Sequence, residues 1–194
     1  CYAMLKVWQA TGDRKYFAYG HRRADFMTND QGEIQAYDYR IEPYNLAMIN
    51  AGKLLFPLWK ETGDDKYRKA MDLLYTTMMT HPRNSEGGFW HKQVYPWQMW
   101  LDGLYMGSPF YARYAKRFEK GEQRTQSFED IANQFIVIAR HTYDPQGRLY
   151  RQAWDESREM FWADPQTGQS KHVWGRALGW YVMALVDALD YLPG

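Results

Sequence analysis

The chain repeats itself, and the repeat limits what it can fold into. Leu5 to Met27 (LKVWQATGDRKYFAYGHRRADFM) aligns with Phe56 to Met78 (FPLWKETGDDKYRKAMDLLYTTM). Trp8 falls on Trp59, Thr11-Gly12-Asp13 on Thr62-Gly63-Asp64, and Lys15-Tyr16 on Lys66-Tyr67, a shift of 51 residues. A repeat of this length marks an array of supersecondary units that bury their apolar faces on one another. Each unit reads as helix, short turn, helix. Gly12 and Gly63 suit the left-handed position just past a helix end, and the following Asp suits the next N-cap.

The rest of the chain fits the same plan. Helical periodicity runs over Tyr44–Glu61, Asp65–Thr80, Tyr95–Phe118 (with a bend expected at Pro109), Ser127–Tyr143 and Val173–Leu192. About seven helices result. The turns inside hairpins are short, whereas the links between hairpins are long and rich in Gly, Pro, Trp and His. Long links in a compact domain are usually functional. All of them lead into helices that carry unusual residues, so they should gather at one end. The expectation is an all-α toroid over residues 1–194 as a single domain, with inner helices lining a funnel. An open α-solenoid for protein binding is the competing layout, but it does not need so many Trp and His residues in its links.

Composition narrows the function. Lys plus Arg is 24 against 23 Asp plus Glu, a net charge of +1, which argues against a nucleic-acid footprint or a membrane-surface patch. No apolar run is long enough to span a bilayer. Cys1 is the single cysteine, so no internal disulfide forms, and either cytoplasm or periplasm suits the chain. Aromatics make up 18% of residues, yet the mean hydropathy is −0.69. Many rings on a polar chain fit a wet, aromatic-lined cavity such as a sugar needs, or a Trp-rich helical core; composition leaves both open.

Asp102 is the carboxylate that stands out. It lies inside MWLDGLYM, between Trp100 and Tyr105. If the helix begins near Tyr95, then Tyr95, Gln98, Asp102 and Tyr105 share one face that looks into the funnel. A partly desolvated carboxyl there keeps its proton near neutrality, as a general acid must. Trp174, Arg176 and Trp180 open another inner helix, where an Arg beside indoles can present its fork to a carboxylate. His91 and Lys92, in the loop before Asp102, read by themselves as solvated. Asp155, Glu156 and Asp164 are further loop carboxylates, either supporting groups or turn caps. No metal-ligand or nucleotide motif is present, and no cofactor is expected.

Several motifs together resemble one family. EGGFWHKQVYPWQMWLDGLYMGSPF, AWDES, WADPQTG and WGRALGWYVMALVDALDYLP look like the unsaturated rhamnogalacturonyl hydrolases of glycoside hydrolase family 105, relatives of the unsaturated glucuronyl hydrolases of family 88. The resemblance covers nearly the whole chain. It implies an (α/α)6 toroid and removal of a 4,5-unsaturated galacturonate from the non-reducing end of pectin-derived oligosaccharides, by hydration of the double bond. It implies Asp102 as the general acid and base. Asn45, His91, Lys92, Trp97, Gln152, Trp174, Arg176 and Trp180 are then expected to bind the sugar, with no metal.

Three departures stand out. Ala47 occupies a place where the family usually has a second Asp, Gln152 one where it usually has a His, and a full ring needs more helices than this chain provides. The chain is therefore expected to be cut short at both ends. Ala47 motivates a rival reading, a sugar-binding toroid without turnover. An epimerase or isomerase on a similar toroid would lean on paired His residues, which the sequence does not place together.

Overall fold

The computed structural model describes residues 1–34 and 44–193. The link Asn29–Pro43 falls largely outside these residues. Among them, seven helices of ten residues or more are joined alternately by two-residue turns and long links: α1 (Tyr2–Thr11), α2 (Arg14–Met27), α4 (Gly52–Thr62), α5 (Asp65–Met79), α6 (Leu101–Phe118), α7 (Gly121–Thr142) and α8 (Gly175–Leu189). A single turn, α3 (Leu46–Ile49), precedes α4. The few strands are short: β1 (Gln98–Trp100), β2 (Tyr143–Asp144), β3 (Leu149–Tyr150) and β4 (Ala153–Asp155).

The repeat folds as its residues dictate. Gly12 and Gly63 sit at φ +74° and +69°, and their N–H groups close the preceding helices on Trp8 O and Trp59 O. Asp13 and Asp64 then cap α2 and α5 by accepting from Lys15 N and Lys66 N, each at 3.0 Å. Thr11 and Thr62 hydroxyls bond back to Val7 O and Leu58 O. Each hairpin is thus set by a handful of adjacent residues.

Hairpins α1–α2, α4–α5 and α6–α7 pack so that their first helices neighbour one another, in the order α1, α4, α6, α8. A helix that returns to the same layer after an antiparallel partner must run in the original direction. The first-helix layer is therefore parallel, and its N-termini gather at one end with the long links. This is an arc of an (α/α) toroid. Its core lies between the layers, with Leu58, Tyr67, Met71, Met78, Phe110, Ile131 and Ile138 almost wholly buried. α8 buries Ala177, Tyr181, Ala184 and Ala188 on one side and exposes Val182, Val186 and Leu189 on another.

Two expectations of helix extent are corrected. α6 begins at Leu101, not near Tyr95: Gln98–Trp100 is instead a strand, paired antiparallel with Ala153–Asp155. Tyr95 and Gln98 therefore do not share a helical face with Asp102. The stretch Tyr44–Glu61 is also broken, with α3 and α4 separated at Asn50 and Ala51. Pro109 lies inside α6, which runs on through it.

Helix crossings this close leave no room for even a methyl group. A Cβ on Gly52 would stand 2.5 Å from two ring carbons of the fully buried Phe110. Gly52→Ala should therefore lower stability by about 1–3 kcal/mol, the usual cost of overpacking. A chemical-denaturation midpoint equal to that of the parent protein would contradict this packing.

Candidate active site

The site is built where the long loops meet the N-terminal ends of α6 and α8. β1 feeds directly into α6, and β4 holds it in register: Trp100 faces Ala153 and Met99 faces Trp154. The first N–H of α6, on Leu101, donates to Gln152 O at 3.0 Å, and Gln152 N donates to His172 O at 3.0 Å. The loop before β1 is pinned from two sides. His91 N donates to Gln98 O at 2.7 Å, while Leu46 N donates to His91 O at 3.2 Å. Backbone bridging of Asn45 with Lys92 ties the start of α3 to the same loop.

Asp102 occupies the first turn of α6 and is buried, 8% exposed. Its Oδ1 lies 3.6 Å from Arg176 Nε, an ion-pair distance too long for a hydrogen bond, and Oδ2 has no protein partner. Burial pushes its carboxyl above the usual carboxylate range; the Arg176 charge opposes this without cancelling it. Arg176 stands in the first turn of α8, the wrong end of a helix for a cation. A carboxylate beside it compensates. Its guanidinium also lies 4.2 Å from the ring centroid of Trp174, the exposed residue that precedes α8.

One turn further along both helices, Tyr105 and Trp180 stack with centroids 4.7 Å apart. Asp102–Arg176 and Tyr105–Trp180 are thus successive rungs between α6 and α8. His91 is buried, contrary to the solvated reading of a lone loop histidine. It stacks on Trp100 at 4.5 Å and 6°, and Tyr95 also stacks on Trp100 at 5.3 Å. A Cβ on Gly103 would lie 3.1 Å from His91 Nδ1, so the bare glycine lets the imidazole approach the helix beside Asp102.

The remaining expected residues divide. Asn45 is buried, and its Oδ1 caps α3 by accepting from Ala47 N at 2.9 Å. Lys92 has its ammonium 5.7 Å from the Tyr95 ring centroid. Trp97 is exposed on the rim, at φ +66°, with its ring tilted against Trp90 at 4.9 Å. Gln152 contributes the two backbone bonds already described. Asp155 and Asp164 resolve as turn organisers. Asp155 accepts from Ser157 N, Ser157 Oγ and Met160 N. Asp164 accepts from Gln166 N, Thr167 N and Thr167 Oγ1, donors that hold its carboxyl below the usual range. Of these three carboxyls, Asp102 is the one with a buried oxygen that has no protein donor, and burial raises its pKa. Sequence reasoning missed Trp100, whose ring is the common partner of His91 and Tyr95; its place next to Asp102 was the available signal.

Glycosyl Hydrolase Family 88 matches this chain over residues 1–194. The chain belongs to that family. Among solved structures, a Glycoside Hydrolase From Family 105 of C. acetobutylicum superposes with a TM-score of 0.90 at 45% identity, over 98% of this chain and 51% of that one. Among curated relatives, the unsaturated rhamnogalacturonyl hydrolase YesR of Bacillus subtilis is 28% identical over 98% of this chain and 52% of its own length. Protein Atu3128 of Agrobacterium fabrum is 43% identical over 45% of this chain and 36% of its own length. The chain spans about half the length, or less, of the relatives it matches. The expected (α/α) toroid is the architecture of these neighbours, and the motif resemblance to family 105, a relative of family 88, agrees with the family 105 structure.

For this family-88 chain, burial also fixes the charge of His91. It pushes the imidazole down to about 3, so the ring is neutral at physiological pH. The unfolded chain binds that proton near the ordinary histidine value, so folding loses stability as pH falls below about 6.5. The His91 ring resonances should not move between pH 8 and pH 5 in an NMR titration. A midpoint near 6.5 would mean that the loop does not hold the ring as described.

Proposed function

We propose that the whole protein is a glycoside hydrolase that removes a 4,5-unsaturated galacturonate from rhamnogalacturonan-derived oligosaccharides, with Asp102 as general acid and base. The observation that carries this reading is the buried Asp102 carboxyl, with Oδ2 free of protein donors and Oδ1 facing Arg176. The likeness to an unsaturated rhamnogalacturonyl hydrolase and to a family 105 structure supports it.

Most glycosidases need two carboxylates flanking the glycosidic bond. An enol ether needs one. Protonated Asp102 gives its proton to C4, and positive charge develops across C5 and the ring oxygen. Water adds to C5 as the same carboxylate, now ionised, takes a proton from it. The C5 hemiketal opens, the glycosidic bond at C1 breaks, and the remaining oligosaccharide leaves with its hydroxyl restored. Arg176 and the two helix N-termini suit the uronate carboxylate. Trp174 and Trp180 offer flat faces to the sugar's C–H groups.

Loss of absorbance from the unsaturated uronate measures the reaction. Asp102→Asn should slow it by about 10²–10⁴-fold or more while ligand affinity changes little, because amide and carboxyl have the same shape. A near-parental rate would remove Asp102 from the chemistry. The reaction needs protonated Asp102 for its first step, so the rate should fall as pH rises through its pKa. Since Arg176 lowers that pKa, Arg176→Met should move the alkaline limb to higher pH. An unmoved limb would assign it to another group.

Ala47 favours a second reading, a toroid that binds the sugar without turning it over. It is the second residue of α3, two after the Asn45 cap, at a place where the resemblance implies Asp. Binding without absorbance loss in the parent protein, together with turnover in Ala47→Asp, would establish this reading and set aside the first.

A further inference from the structure

Lys53 is buried, 2% exposed, in the first turn of α4, where lysine is rarely found. It has no carboxylate within ion-pair distance among the described residues. Its Nζ donates to Tyr105 O at 2.8 Å and stands 3.3 Å from the centroid of the same residue's ring. The carbonyl needs a donor from outside α6. Its helical partner would be the N–H four residues on, and that residue is Pro109, which has none. Lys53 replaces the missing bond across the interface between the two helices.

The Tyr105 ring holds two partners. An ammonium 3.3 Å above the ring leaves no space for an indole on that face, so Trp180, stacked at 4.7 Å, takes the other. Tyr105 is one turn from Asp102, and Trp180 is one turn from Arg176. The lysine therefore fixes the backbone and one ring face of the rung immediately below the acid, yet touches neither Asp102 nor Arg176.

We propose that Lys53 is a positioning residue of this site: bound to the carbonyl that Pro109 leaves open and set against the Tyr105 ring, it fixes Tyr105 and through it Trp180, whose ring is the wall on which the sugar stacks. The inference rests on the sugar-binding reading of the site. It also assigns Pro109 a role, since a helical N–H at that position would make the lysine's bond to the carbonyl dispensable.

Four versions of the whole protein test this: the parent, Lys53→Met, Pro109→Ala and the double variant. KM, kcat and ligand Kd are measured with an unsaturated rhamnogalacturonan disaccharide, beside thermal midpoints. Lys53→Met should raise KM and Kd about tenfold, with kcat within about twofold, because the unpaired carbonyl disturbs the wall and not the acid. Pro109→Ala should stay close to the parent. The double variant should return KM and Kd to within about threefold, since the alanine that replaces the proline brings a backbone N–H to Tyr105 O. A thermal midpoint that falls while KM and Kd hold would make Lys53 merely structural and overturn the proposal. So would a raised KM that Pro109→Ala fails to rescue. Where Lys53→Met alone does not fold, the double variant decides by the same comparison with Pro109→Ala. A parent protein that binds but does not turn over would remove the hydrolase reading and leave Kd across the four proteins to decide on Lys53.

Discussion

Two helices that run side by side in one direction bring two positive dipole ends to one place. α6 and α8 do so in close register. Asp102 meets Arg176, Tyr105 meets Trp180, and at the far end Lys116 Nζ donates to Asp190 O at 3.0 Å. A short hairpin cannot create this pairing, because a tight turn only makes antiparallel neighbours. It takes α7 as the return and the long segment after it to bring α8 alongside α6 in parallel. The hairpin repeat thus explains why helix N-termini and the longest loops are found together, and why the candidate site lies at that end.

The aromatic residues serve two purposes along the same helix. Toward its C-terminal half, α6 contributes Phe110, Tyr114 and Phe118, which contact Phe56, Trp59 and Tyr75 in the core. Toward its N-terminus the rings have polar edges and polar neighbours: His91 on Trp100, Tyr105 on Trp180, Arg176 over Trp174. Offset and tilted pairs of this kind add about 0.5–1.5 kcal/mol each beyond area burial. At the site end they pack the α6 and α8 N-termini and the loop before β1 together through rings rather than aliphatic side chains. That gradient reconciles a high aromatic content with a low mean hydropathy.

What could be read from the sequence was local. The Gly12 and Gly63 stops and the Asp13 and Asp64 caps depend on residues within one turn, and their structure follows the repeat directly. Asp102, Arg176 and Trp180 were legible as a group, and they do converge. The start of α6 was not, because Gln98–Trp100 is made a strand by Ala153–Asp155, more than fifty residues away. Tyr95, Gln98 and Asp102 happen to share helical spacing, so periodicity extends the helix nearly two turns too far. His91 reads as solvated because its burial comes from Trp100 and Gly103 packing around it, a tertiary effect without a local pattern. Lys53 left two traces, a charge inside the apolar run GKLLFPLW and a proline four residues after Tyr105. Only the fold shows that these two anomalies satisfy each other.

Such mutual satisfaction is absent at the candidate site, as it is at a few buried atoms elsewhere, among them Tyr67 Oη and Glu119 Oε2. Several buried polar groups of the frame find partners: Asp155 takes three donors, Gln134 bonds Phe89 N and Gly87 O, and Lys53 reaches its carbonyl. Asp102 Oδ2 and His91 Nδ1 lie buried without a protein partner, and His91 Nδ1 is set against Gly103, the residue that follows Asp102. An unpaired buried polar atom costs on the order of 1–3 kcal/mol, so two so close together weaken the fold where it can least be tightened by repacking. The surrounding loops offset that cost with the backbone bonds that pin His91, Leu101 and Gln152. The proposed binding of a hydroxyl-rich ligand would need polar atoms left uncommitted, and a rigid frame around them is what prevents the protein from satisfying them itself.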